Sequence, residues 1–134
     1  MIADDVYWPV SLSDDFVYHS FANYGNNWNR TVSTFSIGKM LCATGWKIGY
    51  MIGPADLIHH VCFAVSASCQ VINVPCQVAI ARCLHKVYEP YLGYPDYFTC
   101  LRETFREGRK ECLKVFASFK NMPLKPTEIE GGFF

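Results

Sequence analysis

The chain has 134 residues, of which 51% are hydrophobic and 16% aromatic, and its 12 basic and 12 acidic residues balance to a formal net charge of zero. A chain of this length fits one domain or part of a larger one, and its apolar content is too high for an intrinsically disordered protein. The balanced charge makes nucleic acid and anionic membranes poor partners. Every apolar run is shorter than the ~20 residues that span a bilayer, and the first residues show no signal peptide.

A long loop and two strands are predicted in the first half of the chain. Residues 11–29 are polar and aromatic, and their asparagines and glycine are typical of turns. They predict a loop of about 20 residues, a length that is usually functional inside a compact domain. β-branched residues predict a strand at 30–36. Residues 45–53 predict a second strand, which ends at Gly53-Pro54.

Three helices are predicted after the second strand. The first covers 55–70, where apolar residues recur at helical spacing. The second covers 74–88 and carries Pro75 in its first turn, a position that proline favours. After a break rich in proline and glycine, the third covers 96–119, with a broad apolar face and charged residues on the other side.

Both ends of the sequence suggest a piece of a longer protein. Met1 leads directly into apolar residues without a polar start. Residues 123–134 predict a loop that turns at two glycines and leads into a strand with two aromatic residues. We therefore expect a fragment of a longer chain.

The cysteines give an expectation about the compartment. Seven are present, none of them in a C-x-x-C pair: Cys42, Cys62, Cys69, Cys76, Cys83, Cys100 and Cys112. We expect buried thiols on helices, because free cysteine is among the residue types most often buried. An odd number without a secretory signal favours a reducing compartment.

The segment TFSIGKMLCATGWKIGY, residues 34–50, carries the most distinctive chemistry. Lys39 lies in an apolar run directly after Gly38, which is poor placement for a solvated charge. A desolvated lysine amine is a nucleophile toward carbonyl groups. Gly38 would leave backbone room beside a bulky bound group.

Ser36 and Lys47 complete the pattern. Ser36 supplies a hydroxyl and Lys47 a point charge, both suited to a phosphate group. An amine for an aldehyde, with a hydroxyl and a cation for a phosphate, describes a pyridoxal 5'-phosphate site. The alternative is a pair of strands whose two lysines pack their stems and extend their ammonium groups to solvent. No metal is expected, because His59-His60 has no second group of ligands nearby in the sequence.

Several segments resemble class I/II pyridoxal phosphate-dependent aminotransferases of fold type I. SIGKMLCATGWKIGYMIGP resembles the lysine segment of that family, and IADDVYW resembles its D-x-V-Y strand end. WNRTVSTFS, VPCQVAIARCL and PLKPTEIEGGFF resemble further family segments, in the same order along the chain. Within the family, the likeness is strongest to kynurenine–oxoglutarate and glutamine transaminases, which also act as cysteine-S-conjugate β-lyases.

The resemblance implies an α/β fold. Residues 1–95 would be the C-terminal part of the large domain that binds pyridoxal phosphate, a mainly parallel sheet with flanking helices. Residues 96–134 would be the long connecting helix and the start of the small α+β domain.

The resemblance also implies roles for five residues. Lys39 would bind the cofactor aldehyde covalently and later move a proton. Asp4 would pair with the pyridine nitrogen, and Tyr7 would hydrogen-bond the phenolic oxygen. Ser36 and Lys47 would bind the phosphate. Taken singly, Asp4 is more typical of a turn or a cap, and Tyr7 of packing.

The implied activity is transfer of an amino group from an aromatic or sulfur-containing amino acid to a 2-oxo acid, and a β-lyase side activity stays open. The parent protein would be a homodimer in the cytoplasm, or in mitochondria.

The alternative is a truncated, non-catalytic remnant that acts as a binding or structural module. The family's phosphate-binding turn and its substrate-carboxylate arginine cannot be located in this sequence. We therefore expect the isolated chain to be inactive and poorly soluble.

Overall fold

The computed structural model describes residues 1–15, 17–119, 123, 125–127 and 129–132. The chain forms two compact units. The first consists of Met1–Tyr7 and Tyr18–His85, and the second of the described residues in Trp8–Val17 and Lys86–Phe134. The predicted domain boundary between residues 95 and 96 stays a prediction.

The first unit contains a three-stranded sheet in the order β1 (Ile2–Asp4), β2 (Val32–Ser36), β3 (Gly49–Ile52). β1 and β2 are parallel, with Ile2 opposite Val32, and β2 and β3 are antiparallel, with Ser36 opposite Gly49. The parallel pair requires a long crossover, which the chain supplies before β2. The expected α/β class is confirmed, and one described strand pair is parallel and the other antiparallel.

The two strands predicted in the first half of the chain are confirmed, with one change of boundary. β2 lies within the predicted 30–36. The strand predicted at 45–53 begins only at Gly49, because Thr44–Trp46 form a 3-10 helix and Lys47 adopts a left-handed conformation with φ of 55°. The predicted loop at 11–29 contains one 3-10 helix, Phe21–Asn23, and the start of another, Asn27–Arg30.

The predicted helices are also confirmed. α1 (Ile37–Met40) is a short helix directly after β2, and it is followed in the same unit by α2 (Ala55–Cys69) and α3 (Val74–Leu84). α3 ends at Leu84 rather than at the predicted residue 88, since the chain then passes through a series of turns. The second unit contains α4 (Tyr97–Ser118). Among the described residues, no helix is both long and apolar enough to cross a membrane.

Each unit has its own buried residues. In the first unit, at least nine-tenths of the surface is buried for Val32 of β2, Ile37 directly after β2, Met40 and Ile48. In the second unit, buried Val10, Leu12 and Leu101 pack together with Tyr97 and Phe105. The end of β2 is therefore held in place by apolar packing, and this is where the candidate site residues lie. The predicted strand at the end of the chain falls on Phe133 and Phe134, which lie outside the described residues.

The expectation of buried cysteines is wrong for most of them. Only Cys100 is buried and Cys76 is half-buried, whereas the other five are exposed, and all seven lie in the described part of the chain as free thiols. For Cys62 and Cys69 the reason is the position of α2, since none of its fifteen residues, all described, is buried. Six of the seven thiols lie on helices as expected, whereas Cys42 lies in a bend after α1, and four of the six helical thiols are exposed.

Candidate functional site

Lys39 lies in α1, the single helical turn that follows β2. The N–H of Ile37 donates to the carbonyl of Ile48 at 3.1 Å, and the N–H of Leu41 donates to the carbonyl of Ile37 at 2.8 Å. The sequence placed Lys39 between two strands in a dry setting. The structure places it on a helical turn, where its side chain is half-buried.

Gly38 has a different neighbour from the one expected. A Cβ atom at Gly38 would lie 2.8 Å from the Cα of Thr44, closer than real Cβ contacts come. The hydroxyl of Thr44 also donates to the carbonyl of Gly38 at 3.2 Å. Gly38 is thus required by the close approach of the Thr44 backbone, whereas the sequence suggested room for a bound group.

Three of the five predicted residues line one cavity. Ser36, Lys39 and Lys47 contribute to an open cavity of about 500 Å³, whose full lining is Phe35, Ser36, Gly38, Lys39, Thr44, Lys47, Ile48 and Gly49. Lys47 is exposed and occupies the left-handed position that ends the 3-10 helix. The lining therefore includes two lysines and two residues with hydroxyl groups, and the cavity volume lies in the range that small-molecule ligands occupy.

Tyr7 lies next to the lysine. The Nζ atom of Lys39 is 5.5 Å from the centroid of the Tyr7 ring. At this distance the face of the ring attracts a cation. The structure thus brings Tyr7 and Lys39 together, although Tyr7 lies outside the described residues that line the cavity.

Asp4 lies at the end of β1, opposite Thr34 of β2. The Asp4 side chain is exposed. The Thr34 hydroxyl donates to the carbonyl of Ala3 at 3.2 Å, and it lies 3.5 Å from the Asp4 carboxylate. Asp4 also lies outside the described cavity lining. It is placed at the same end of β1 as Tyr7, with its carboxylate available to a partner.

A hydrogen-bonded cluster beside Asp4 was not predicted. The hydroxyl of Ser20 donates to the carboxylate of Asp5 at 2.8 Å and lies 3.0 Å from the hydroxyl of Ser33. Burial, together with the Asp5 carboxylate, raises the pKa of Tyr18 far above its usual value. This cluster ties the loop before β2 to both β1 and β2. Nothing in the spacing of these four residues along the sequence indicated that they would meet.

Thr44, Phe35 and Ile48 were also missed as cavity residues. The T-G-W-K segment contained a usable signal, because a threonine three residues before a predicted phosphate-binding lysine supplies a further hydroxyl. Among the described residues, no group of three or more histidine, cysteine or acidic side chains could hold a metal ion.

The residues of the cavity fit pyridoxal phosphate. The Ser36 hydroxyl and the Lys47 ammonium group match a phosphate, and the Lys39 amine in the same cavity matches an aldehyde. Asp4 lies outside this lining, and its exposed carboxylate is of the kind that suits a protonated ring nitrogen.

Comparisons with known proteins identify aminotransferases among the similar proteins. No protein-family profile matches the sequence. The chain is 31% identical to mouse kynurenine–oxoglutarate transaminase 3 over 134 residues, which are 99% of the chain and 28% of that protein. It is 30% identical to kynurenine–oxoglutarate transaminase from Dictyostelium discoideum, covering all of the chain and 29% of the relative.

Solved structures give the same result for the fold. N-succinyldiaminopimelate aminotransferase from Mycobacterium tuberculosis matches 85% of the chain with a TM-score of 0.72 and 31% identity. Aspartate aminotransferase from Thermotoga maritima matches 98% of the chain with a TM-score of 0.76 and 25% identity. The chain spans 27% and 31% of these two structures, so the likeness concerns a segment of each enzyme.

Proposed function

Because this chain belongs to the fold type I aminotransferase family, we propose that it forms the lysine-bearing part of a pyridoxal phosphate-dependent aminotransferase. The amino donor would be an aromatic or sulfur-containing amino acid, of the kynurenine or glutamine type, and the acceptor a 2-oxo acid. The supporting observation is that Ser36, Lys39 and Lys47 line one cavity.

Lys39 has the central role in the proposal. Its amine would hold the cofactor covalently and would later accept and return the proton of the substrate Cα. When bound, pyridoxal phosphate supplies a protonated ring that withdraws electrons from the substrate Cα. Lys39 is half-buried, and this one lysine would serve both halves of a transamination.

The other four residues would hold and tune the cofactor. Ser36 and Lys47 would bind the phosphate through a hydroxyl and a charge-assisted hydrogen bond. Tyr7 would donate to the phenolic oxygen. The carboxylate of Asp4 would stabilise the protonated pyridine nitrogen, because a negative charge nearby favours the charged form of a base.

The choice of substrate is the finer part of the proposal. It rests on relatives that are named kynurenine–oxoglutarate transaminases. A β-lyase side reaction with cysteine conjugates fits the same proton chemistry at Cα. We further propose that the parent protein acts as a homodimer and resides in the cytoplasm or in mitochondria, a setting in which free thiols persist.

Selective labelling of Lys39 tests the cofactor step. The 134-residue chain is mixed with less than one equivalent of pyridoxal phosphate, reduced with borohydride, digested and analysed by mass spectrometry. We expect phosphopyridoxyl addition at Lys39 to exceed addition at exposed Lys86 and Lys110 by about five-fold, equivalent to about 1 kcal/mol of preference. Inorganic phosphate should remove most of this preference.

Two controls separate recognition from general lysine reactivity. Pyridoxal, which lacks the phosphate, should label the lysines more evenly. Lys47→Met keeps the length of the side chain, removes its charge and should reduce the preference for Lys39. Uniform labelling of Lys39, Lys86 and Lys110 by pyridoxal phosphate would contradict the proposal and favour a non-catalytic remnant. No turnover is expected from the isolated chain.

A further inference from the structure

We propose that Thr44 is a positioning residue, which fixes the turn that carries Lys39 relative to Lys47. The inference rests on the proposed function, because it concerns the geometry of the same cavity. Thr44 has no assigned chemical role, yet its backbone and its hydroxyl both contact the residue that precedes Lys39.

The turn that carries Lys39 cannot hold its position alone. α1 is four residues long, and a helix of this length is unstable without tertiary contacts. Its start is tied by the hydrogen bond from the Ile37 N–H to the Ile48 carbonyl. Its middle is tied by the hydrogen bond from the Thr44 hydroxyl to the Gly38 carbonyl. The position of the Lys39 amine therefore depends on both bonds.

The backbones of Gly38 and Thr44 are in direct contact. A Cβ atom at Gly38 would lie 2.8 Å from the Thr44 Cα and 3.3 Å from the Thr44 nitrogen, and the Ser36 hydroxyl would also lie 3.3 Å from it. This contact thus lies beside Ser36 and one residue before Lys39. A displacement of Thr44 would alter the surroundings of both.

Thr44 also connects the two lysines. It begins the 3-10 helix Thr44–Trp46, and this helix ends at Lys47 in its left-handed conformation. The same residue therefore holds α1 through its hydroxyl and begins the turn that places Lys47. Because one ligand would have to meet both ammonium groups, the spacing between Lys39 and Lys47 determines whether its aldehyde and its phosphate can be bound together.

The test measures labelling by two aldehydes. Thr44→Val keeps the branched shape of the side chain and removes only the hydroxyl, and Thr44→Ser restores a hydroxyl. Labelling by pyridoxal phosphate and by pyridoxal is quantified at Lys39 and at Lys86. We expect Thr44→Val to lower the Lys39 preference for pyridoxal phosphate by about three- to five-fold. Labelling of Lys39 by pyridoxal should change less, and Thr44→Ser should stay within about two-fold of wild type.

Thr104→Val is the matched control. The Thr104 hydroxyl donates to the Cys100 carbonyl at 2.9 Å, so this variant also loses a hydroxyl-to-carbonyl hydrogen bond, but in α4 of the second unit. It should lower thermal stability without changing the labelling ratio. A purely structural role of Thr44 would lower stability and affect both aldehydes equally, whereas a positioning role affects the ligand that carries a phosphate.

The outcomes separate this inference from the proposed function. If the wild-type chain shows no preference for Lys39, the proposed function is rejected. If the wild type shows the preference and Thr44→Val keeps it, only the inference is overturned. Labelling of Thr44→Ala is measured in parallel. The conclusion about Thr44 is drawn from whichever of the two variants, Thr44→Val or Thr44→Ala, retains the wild-type circular dichroism spectrum. Loss of folding in both, with Thr44→Ser folded, would overturn the positioning role in favour of a structural one.

Discussion

Lys39 illustrates how a reactive side chain can be held without deep burial. Its stem is half-buried in α1, and its ammonium group lies over the face of Tyr7 at 5.5 Å. A cation in such a position gains roughly 0.5–1 kcal/mol at an exposed site. The ring thus helps to hold the amine in place beside Tyr7.

Gly49 is expected to tolerate no side chain. A Cβ atom there would lie 2.6 Å from the carbonyl oxygen of Phe35, inside the antiparallel pair of β2 and β3. We predict that Gly49→Ala lowers the free energy of unfolding by about 1–3 kcal/mol, because the strands must separate to accept the methyl group. Urea denaturation followed by circular dichroism measures this change.

Gly45→Ala is the control for that substitution. A Cβ atom at Gly45 would meet no other atom within 4 Å. This variant should unfold at nearly the wild-type urea concentration. Equal midpoints for Gly49→Ala and Gly45→Ala would show that β2 and β3 do not pair as described.

Among the elements, α4 has the best-defined start. The backbone N–H of Thr99 donates to one carboxylate oxygen of Asp96 at 2.7 Å, and the Thr99 hydroxyl donates to the other at 2.9 Å. The hydrogen bond from the Thr99 backbone N–H is the main reason why the pKa of Asp96 lies below its ordinary value of 3.8. Burial acts in the opposite direction and raises this pKa. Asp96 thus caps the helix in its charged form.

Asp96 should make stability depend on pH. The pKa of Asp96 is lower in the folded chain than in the unfolded chain. The contribution of its carboxylate to the free energy of unfolding is therefore present above the unfolded pKa, and it is lost as the pH falls through the folded pKa. We predict that Asp96→Ala costs about 1 kcal/mol at pH 7. Urea denaturation at neutral pH and at a series of acid pH values measures both effects.

Asp96→Asn isolates the titration. Asparagine caps a helix about as well as aspartate but carries no carboxylate. The stability difference between wild type and Asp96→Asn should therefore shrink or reverse below pH 3.8, the ordinary pKa. A difference that stays constant across the acid range would contradict the role of the charged cap.

At the scale of the whole molecule, the described residues of the first unit expose several large apolar side chains. Large apolar side chains on α2, α3 and the turn between them are exposed: Phe63, Val71, Ile72, Val74, Val78 and Leu84. Extended apolar patches of this kind mark surfaces that are covered by another partner or that aggregate. The chain spans less than a third of the relatives it matches, so poor solubility in isolation remains the expectation.

Phe63 provides a direct test of that expectation. Its side chain is 77% exposed. We predict that Phe63→Glu raises the soluble fraction of the isolated chain, because it interrupts the apolar patch with a charge, and that it changes thermal stability by less than about 0.5 kcal/mol. Centrifugation of matched lysates and thermal denaturation measure the two effects.

Phe98→Glu is the opposite case. Phe98 is 6% exposed and packs against Trp8, with ring centroids 5.8 Å apart. A charge at this position should unfold the second unit, because an unpaired buried charge is strongly destabilising. Similar losses of stability for Phe63→Glu and Phe98→Glu would mean that Phe63 is not exposed in solution.

Much of the fold follows from patterns that are local in the sequence. Helical spacing of apolar residues predicted α2, α3 and α4, and β-branched residues predicted β2. The segment around Lys39 also carried the family resemblance. These features depend on residues within a few positions of one another, and backbone preferences and side-chain periodicity act over that range.

The sequence by itself thus determined the order of the helices and strands and the chemical character of the lysine segment. Only the tertiary structure decided that Thr44 meets Gly38, that Ser20 joins Asp5 and Ser33, and that β3 begins at Gly49. It also decided the exposure of most cysteines. Such contacts join residues that are apart along the chain, and they arise from how surfaces pack once the elements have formed, which no local pattern encodes.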